Sequence, residues 1–318
     1  MLGLALVVVV SPLSQQVRAN QAATNKPRLN KPRLSWKQRL TDWDICKNST
    51  MVSQYWGFMA YEHVQRVNQM GILGDIVEVG VWRGGLSCYM ARAQIASAAP
   101  EQAPSLSRRQ WLFDTFQGMP APGDGDDAKS ITMFESIQHE QAALQRGGGA
   151  LPTRLGMRGR MSAFDNVDNG KWCYGSLEDV QLTMARSGAR AESLRFVKGK
   201  AEETLVAHAE LPQAVALLRL DTDFYASTMA ELQELWPRLS PGGWLYVDDY
   251  YVWGGAKKAV DDWLAQHRGW THQAHIMGAF DDLNRTSPTG DPHNKRFQLL
   301  KSNPYTEERP FSDAYLSI

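Results

Sequence analysis

The feature that most constrains the fold is an alternation of short apolar stretches with helical patterns. Residues 75–81 and 214–220 are rich in aliphatic and β-branched residues, and each is followed by a turn and then by apolar residues at helical spacing. A stretch as uniformly apolar as 214–220 is typical of a parallel strand buried on both faces. Thr228 and Glu231 have the spacing of a capping box and predict where one of the helices begins. Repeated strand–helix units predict an α/β fold with a doubly wound, mostly parallel sheet.

Acidic residues and glycines stand where the predicted strands end. The first strand runs through Glu78 into a turn that contains Gly80, Gly84 and Gly85, and the second strand ends on Asp114. In doubly wound sheets, ligands bind outside the carboxyl ends of the strands. The sequence therefore predicts one ligand site at this edge of the sheet.

The glycine turn and Asp114 together indicate a positively charged nucleoside. Glycines let the backbone approach a ligand closely, but Glu-x-Gly-x-x-x-Gly-Gly differs from the Gly-x-Gly-x-x-Gly pattern that receives a pyrophosphate. The carboxylate of Glu78 suits a cationic group, and an acid at the position of Asp114 can accept both hydroxyl protons of a ribose. The structural alternatives are an ordinary β–α turn and an acid that caps the turn before Gly118.

Four further carboxylates, Asp221, Asp223, Asp248 and Asp249, follow two predicted strands that can lie side by side. Carboxylates crowded together repel one another unless a cation neutralises them, and oxygen-only ligands favour Mg²⁺, with Mn²⁺ as a substitute. Capping of loops and helix starts is the structural alternative for one or two of them. Asp221-Thr-Asp223 is also the pattern of a metal-dependent glycosyltransferase, although Glu78 would repel a diphosphate.

Composition limits the partners that we expect. Lysine plus arginine equals aspartate plus glutamate, at 34 each, so no net charge attracts nucleic acid or an anionic membrane surface. A small hydroxylated acceptor fits this balance better. Three cysteines without a Cys-x-x-Cys pair predict free thiols in a reducing compartment, and hence a cytoplasmic protein. The apolar residues 2–10 are similar to part of a signal peptide but are too few to span a membrane.

The chain divides into segments by composition. We expect a disordered or targeting lead-in over 1–35, a helical lid over 36–70 and a ligand-binding α/β domain over 71–302, followed by a tail over 303–318. Residues 120–173 show no strand–helix alternation and predict an insertion or flap within the domain, with three consecutive glycines at 147–149 as its hinge.

Six segments resemble, in the same order, the signatures of the macrocin O-methyltransferase family; these are residues 78–85, 113–118, 175–180, 197–205, 218–228 and 247–250. The resemblance implies a seven-stranded, Rossmann-like methyltransferase sheet. It also implies an enzyme that uses S-adenosylmethionine and Mg²⁺ to methylate sugar hydroxyls of natural products. A homo-oligomer is possible. A non-catalytic module that binds the same cofactor is the alternative to an enzyme.

The resemblance also implies a role for each matching position. The methionine part of the cofactor would be bordered by Glu78, Gly80, Gly84, Gly85 and Ser87, the ribose by Asp114, and the adenine by Ser176. The metal positions would be Asp221, Asp248 and Asp249, with Asp221 and Asp223 as the catalytic pair and Asp223 as the general base. Three histidines of the weakly matching tail, His272, His275 and His293, are alternative bases, and an ordinary surface histidine is the structural alternative for each. The segment 120–173 is longer than expected for the family, so the acceptor is not predicted more closely.

Overall fold

The computed structural model describes residues 36–97, 108–145, 167–168, 171–207, 210–267, 274–277 and 297–301. The helices are α1 Trp36–Cys46, α2 Gln54–Gln69, α3 Gly85–Ser97, α4 Ala128–Gln145, α5 Leu177–Ala185, α6 Ala201–Ala207, α7 Tyr225–Leu235 and α8 Gly254–Gln266. The strands are β1 Asp75–Val79, β2 Gln110–Asp114, β3 Val167–Asp168, β4 Lys171–Trp172, β5 Leu194–Lys198, β6 Val215–Leu220, β7 Leu239–Val247, β8 Ala274–Met277 and β9 Phe297–Lys301.

The main sheet has the strand order β5-β2-β1-β6-β7-β9-β8. The first five strands in this order run parallel, whereas β9 pairs antiparallel with both β7 and β8. Every residue of β6 is buried, as expected for a strand covered by helices on both faces. The predicted α/β fold with a doubly wound, mostly parallel sheet is confirmed. Strands β3 and β4 form a separate antiparallel pair.

Helices α1 and α2, from the predicted lid, pack against α3 as part of the main core. Tyr61 and Val64 of α2 and Cys46 of α1 are fully buried in one apolar cluster with residues of α3 and the sheet. The buried Asp42 accepts a hydrogen bond from Tyr61 Oη at 2.8 Å and pairs with Arg92 Nε of α3 at 2.6 Å. These two helices therefore form a structural layer over one face of the sheet.

Helix α7 begins earlier than the sequence pattern predicts. Its first residue is Tyr225, and Thr228 and Glu231 lie inside the helix, so the predicted capping box is wrong. Asp126, which is distant in sequence, accepts a hydrogen bond from Tyr225 N at 2.8 Å and supplies the cap instead. A local pattern cannot reveal a cap that comes from another segment.

The described parts of the segment 120–173 are anchored on the domain. Asp127 Oδ1 accepts from Ser130 N at 2.9 Å at the start of α4, and its Oδ2 accepts from Gly254 N at 3.1 Å at the start of α8. Trp172 of β4 is buried and packs edge-on against Trp253, with ring centroids 5.7 Å apart. The predicted flap thus has fixed ends, at Asp127 and at Trp172.

Several predicted features lie outside the described residues. These are the lead-in 1–35, the glycine hinge at 147–149 and the tail 303–318. Among the helices that the structure describes, none is long and apolar enough to cross a membrane.

Candidate functional site

The glycine turn after β1 is held between β6 and the segment that joins α1 to α2. Gly80 has a φ of +84°, and a Cβ there would lie 1.9 Å from the carbonyl oxygen of Asp221. A Cβ at Gly85 would lie 2.4 Å from the carbonyl carbon of Ser49. Both positions require glycine because backbone atoms fill the space that a side chain would need. The turn therefore brings the end of β1 against the end of β6.

Glu78 lies beneath this turn and is 1% exposed. Its Oε2 accepts a hydrogen bond from Ser87 Oγ of α3, and its Oε1 accepts from Arg219 Nη1 at 2.7 Å. Burial raises the pKa of Glu78 above its ordinary value, against the opposing effects of Arg219 and Ser87. Both carboxylate oxygens of Glu78 thus accept hydrogen bonds from protein side chains, one of which is Ser87.

Asp114, at the end of β2, fastens the glycine turn to the turn that follows its own strand. Its Oδ2 accepts from Val81 N at 2.8 Å and from Trp82 N at 3.0 Å, and its Oδ1 accepts from Phe116 N at 2.8 Å. Burial raises the pKa of Asp114, and these backbone hydrogen bonds oppose that rise. The turn-capping alternative is therefore observed, while the ribose role of Asp114 stays a prediction.

Helix α5 packs beside the same turn. Ser176 is its N-cap, and a Cβ on the preceding Gly175 would lie 2.1 Å from the carbonyl oxygen of Trp82. A Cβ at Gly84, whose φ is +78°, would lie 3.0 Å from a methyl group of Val180. The structure thus gathers Gly84 and Ser176 at the edge where Gly80, Gly85 and Asp114 also lie.

Three of the four predicted carboxylates converge next to the glycine turn. Asp221, Asp223 and Asp249 each offer an oxygen, and these oxygens lie within 4.8 Å of one another. Burial and the neighbouring carboxylates raise the pKa values of Asp221 and Asp249 well above the ordinary value, and burial raises the pKa of Asp223 to about 7. Asp249 Oδ2 is buried, and no described residue supplies it with a hydrogen bond. A crowded set of oxygens with one unsatisfied member fits a hard divalent cation.

Asp248 lies at the rim of this cluster, against Arg219. Its Oδ2 accepts from Arg219 Nη2 at 3.0 Å, and the same Nη2 lies 2.5 Å from Asp221 Oδ2. The structure thus brings two of the predicted metal residues, Asp221 and Asp249, into one group with Asp223. It places the third, Asp248, on the arginine beside that group. Their individual roles stay predictions.

Two buried residues of the site were not identified from the sequence. Arg219 is the only charged residue within β6, and a lone charge in an apolar strand is a signal that could have found it. Glu231 of α7 is completely buried, and its Oε1 accepts from Thr222 Oγ1 at 2.8 Å. Burial raises the pKa of Glu231 to about 8. Glu231 thereby fixes Thr222, the neighbour of Asp223. The φ of Asp223 is +66°.

Of the three alternative bases, the structure describes one. His272 and His293 lie outside the described residues, and His275 belongs to β8. The candidate site therefore consists of the glycine turn, Asp114 and the carboxylates around Arg219.

Comparisons with known proteins show which proteins the chain is similar to. The 8-demethyl-8-(2,3-dimethoxy-alpha-L-rhamnosyl)-tetracenomycin-C 4'-O-methyltransferase of Streptomyces olivaceus is 31% identical over 208 residues, which cover 64% of this chain and 63% of that protein. The mycinamicin III 3''-O-methyltransferase of Micromonospora griseorubida is 30% identical over 201 residues, with coverage of 62% and 63%. The matches thus span less than two thirds of these relatives.

The solved structure of the O-methyltransferase NovP has the same fold, with a TM-score of 0.55 and 24% identity over 80% of this chain and 83% of that one. The profile of the macrocin O-methyltransferase (TylF) family matches residues 10–144 and 168–277. These two ranges contain all the predicted cofactor and metal residues and Asp223, and they make up well over half of the sequence. The chain therefore belongs to the macrocin O-methyltransferase (TylF) family.

Proposed function

We propose that this protein transfers a methyl group from S-adenosylmethionine to a hydroxyl group at a Mg²⁺ site, and that the acceptor is a sugar or a sugar-bearing natural product. The observation that carries the proposal is the convergence of the glycine turn, Asp114 and the group Asp221, Asp223 and Asp249 at one edge of the sheet. Membership of the family and the names of the two relatives support a sugar hydroxyl as the acceptor.

The cofactor would lie on the glycine turn. Gly80, Gly84 and Gly85 allow the turn to pack closely against β6, α5 and the segment that joins α1 to α2, and Glu78 would supply negative charge beneath it. Negative charge there would stabilise a ligand that carries an ammonium and a sulfonium. Asp114 would bind the ribose and Ser176 would border the adenine. Bound S-adenosylmethionine supplies the methyl group together with a neutral thioether as the leaving group.

The metal would be held by Asp221, Asp248 and Asp249. A carboxylate has two oxygens, so the contact of Asp248 Oδ2 with Arg219 is compatible with a cation at the other oxygen. Bound Mg²⁺ lowers the pKa of a hydroxyl that it coordinates. Asp223 would then accept the hydroxyl proton as the general base, beside the ligands and fixed by the bond between Thr222 and Glu231. Positioning of the acceptor contributes further rate.

Calorimetric titration tests the cofactor assignment. We expect S-adenosylmethionine to bind with or without Mg²⁺, because the residues proposed to contact the cofactor are not the proposed metal ligands. UDP-glucose with Mg²⁺ should not bind, since Glu78 repels a diphosphate. Asp114→Ala should weaken cofactor binding by about 1–3 kcal/mol, the cost of leaving buried polar groups unpaired. Binding of UDP-glucose but not of S-adenosylmethionine would reject the proposal in favour of a glycosyltransferase.

Two variants separate the base from a metal ligand. Methyl transfer to rhamnose-bearing natural products is measured as S-adenosylhomocysteine release over a range of Mg²⁺ concentrations. Asp223→Asn should lower kcat by about 10²- to 10⁴-fold at every Mg²⁺ concentration, as expected for loss of a general base. Asp248→Asn should instead raise the Mg²⁺ concentration that is required. If added Mg²⁺ restores Asp223→Asn, this residue is a ligand and the base lies elsewhere.

A further inference from the structure

Arg219 connects the two halves of the site. It lies on β6, between β1 and β7 in the sheet, and it is 6% exposed. Its Nη1 donates to Glu78 Oε1 at 2.7 Å on the β1 side. Its Nη2 contacts Asp248 Oδ2 at 3.0 Å and Asp221 Oδ2 at 2.5 Å on the other side. One guanidinium thus holds three carboxylates that follow or belong to three adjacent strands.

The register of the sheet explains why one side chain can reach both halves. Glu78 of β1 is the direct partner of Arg219 in the parallel ladder, so the two side chains lie on the same face. Asp221 lies two residues after Arg219, and Asp248 N donates to Leu220 O at 2.9 Å. Arg219 Nη1 also lies 3.5 Å from the carbonyl oxygen of Gly80, within the glycine turn. The contacts of Arg219 therefore reach both the proposed cofactor side and the proposed metal side.

The charges around Arg219 make these contacts interdependent. An arginine keeps its positive charge in proteins, and Arg219 forms ion pairs with Glu78, Asp221 and Asp248 at the same time. In a buried cluster, removal of one carboxylate strengthens the hold of the arginine on the others. The planar guanidinium of arginine donates from separate nitrogens in fixed directions, whereas the three donors of a lysine ammonium share one nitrogen. Removal of the Asp221 carboxylate should consequently strengthen the ion pair between Arg219 and Glu78.

We propose that Arg219 is a positioning residue that couples the carboxylate of Glu78, under the cofactor, to the carboxylates of Asp221 and Asp248, at the metal. This inference rests on the proposed function, since it names what links the two halves of that site. A buried ion pair with a purely structural role would affect the stability of the fold and would not transmit a change between ligand positions.

The test measures the affinity for S-adenosylhomocysteine by calorimetry, with EDTA present and no divalent metal. In the wild-type background, Asp221→Asn should weaken this affinity about fivefold or more, a typical size for coupling between sites. The reason is that Arg219, without its ion pair to Asp221, binds Glu78 more strongly and leaves less negative charge beneath the ligand. In an Arg219→Met background, the same Asp221→Asn change should alter the affinity by less than about twofold.

Arg39→Met provides the matched control. Arg39 is also 6% exposed and pairs with Glu62 at 2.6 Å and with Gln65 at 3.0 Å, within helices α1 and α2. We expect this variant to lose stability and to keep the full effect of Asp221→Asn. If circular dichroism shows that Arg219→Met does not fold, Arg219→Lys replaces it, and the effect of Asp221→Asn should fall by at least half.

The outcomes are distinguishable. A wild-type protein that does not bind S-adenosylhomocysteine overturns the proposed function, and the inference with it. Binding that Asp221→Asn leaves unchanged overturns only the coupling. So does an effect of equal size with and without the arginine side chain, in Arg219→Met or in Arg219→Lys.

Discussion

His63, on α2, is a base that the fold keeps neutral. It is 5% exposed, and its ring stacks on Trp244 of β7 with centroids 4.1 Å apart. Its Nδ1 is buried and has no hydrogen-bond partner within the part of the chain that the structure describes. Burial, together with the charge of Arg66, lowers the pKa of His63 from 6.5 to about 3. The neutral ring is therefore part of the packing between α2 and the sheet.

This shift predicts a dependence of stability on pH. Below pH 6.5 the unfolded chain binds a proton at His63, whereas the folded protein does so only near pH 3. Stability from the neutral ring is thus fully present above the unfolded pKa and is lost as pH falls, by about 1.4 kcal/mol for each unit. His63→Phe keeps a stacked ring, so its unfolding free energy should decline less steeply between about pH 6 and pH 5. Urea unfolding at several pH values measures both slopes, and parallel slopes would contradict the assignment.

At the scale of elements, two consecutive acids attach the beginning of the 120–173 segment to the site. Asp126 accepts from Tyr225 N at 2.8 Å and Asp127 accepts from Gly254 N at 3.1 Å, so each bonds to the first turn of a helix. Helix α7 begins two residues after Asp223, and α8 begins five residues after Asp249. The position of the segment is therefore tied to the loops that carry the carboxylates.

Loss of this attachment should loosen the segment. Asp127→Ala removes an N-cap of α4 and the bond to α8, and a lost cap costs about 1 kcal/mol. We expect faster proteolysis within residues 120–145, measured by mass spectrometry of early fragments. Asp124→Ala, which changes an exposed acid in the same segment, is the matched control and should be cleaved at the wild-type rate. Equal rates for Asp127→Ala and the wild type would show that other contacts hold the segment.

At the scale of the whole molecule, the sheet and the edge at which the candidate residues gather can be predicted from the sequence. The contacts between side chains inside the candidate site are much harder to predict. Hydrophobic periodicity predicts β1, β6 and their helices because burial on both faces leaves a clear local pattern. Contacts made across the fold leave no such pattern. Asp126 at the start of α7 and the three partners of Arg219 become visible only when distant segments meet. The same reason explains why Glu231 is mistaken for a capping residue.

The carboxylate group also bears on the stability of the whole protein. Asp221, Asp223 and Asp249 crowd together, and Asp249 Oδ2 has no hydrogen-bond partner among the described residues. A bound cation should therefore stabilise the folded state over the unfolded chain. At about 100 times its Kd, Mg²⁺ adds roughly 2.7 kcal/mol, which corresponds to a Tm increase of about 5 °C.

Asp249→Asn should not gain stability from Mg²⁺, as measured by thermal unfolding followed by circular dichroism. Its Tm without metal should equal or exceed that of the wild type, because one repelling charge is gone from the group. Its Tm should not rise when Mg²⁺ is added, because the proposed ligand set is incomplete. Asp44→Asn is the control, because Asp44 is an exposed acid of α1 that pairs with Lys47. This variant should keep the full Mg²⁺ response. A Tm increase of equal size in Asp249→Asn would place the bound Mg²⁺ elsewhere on the protein.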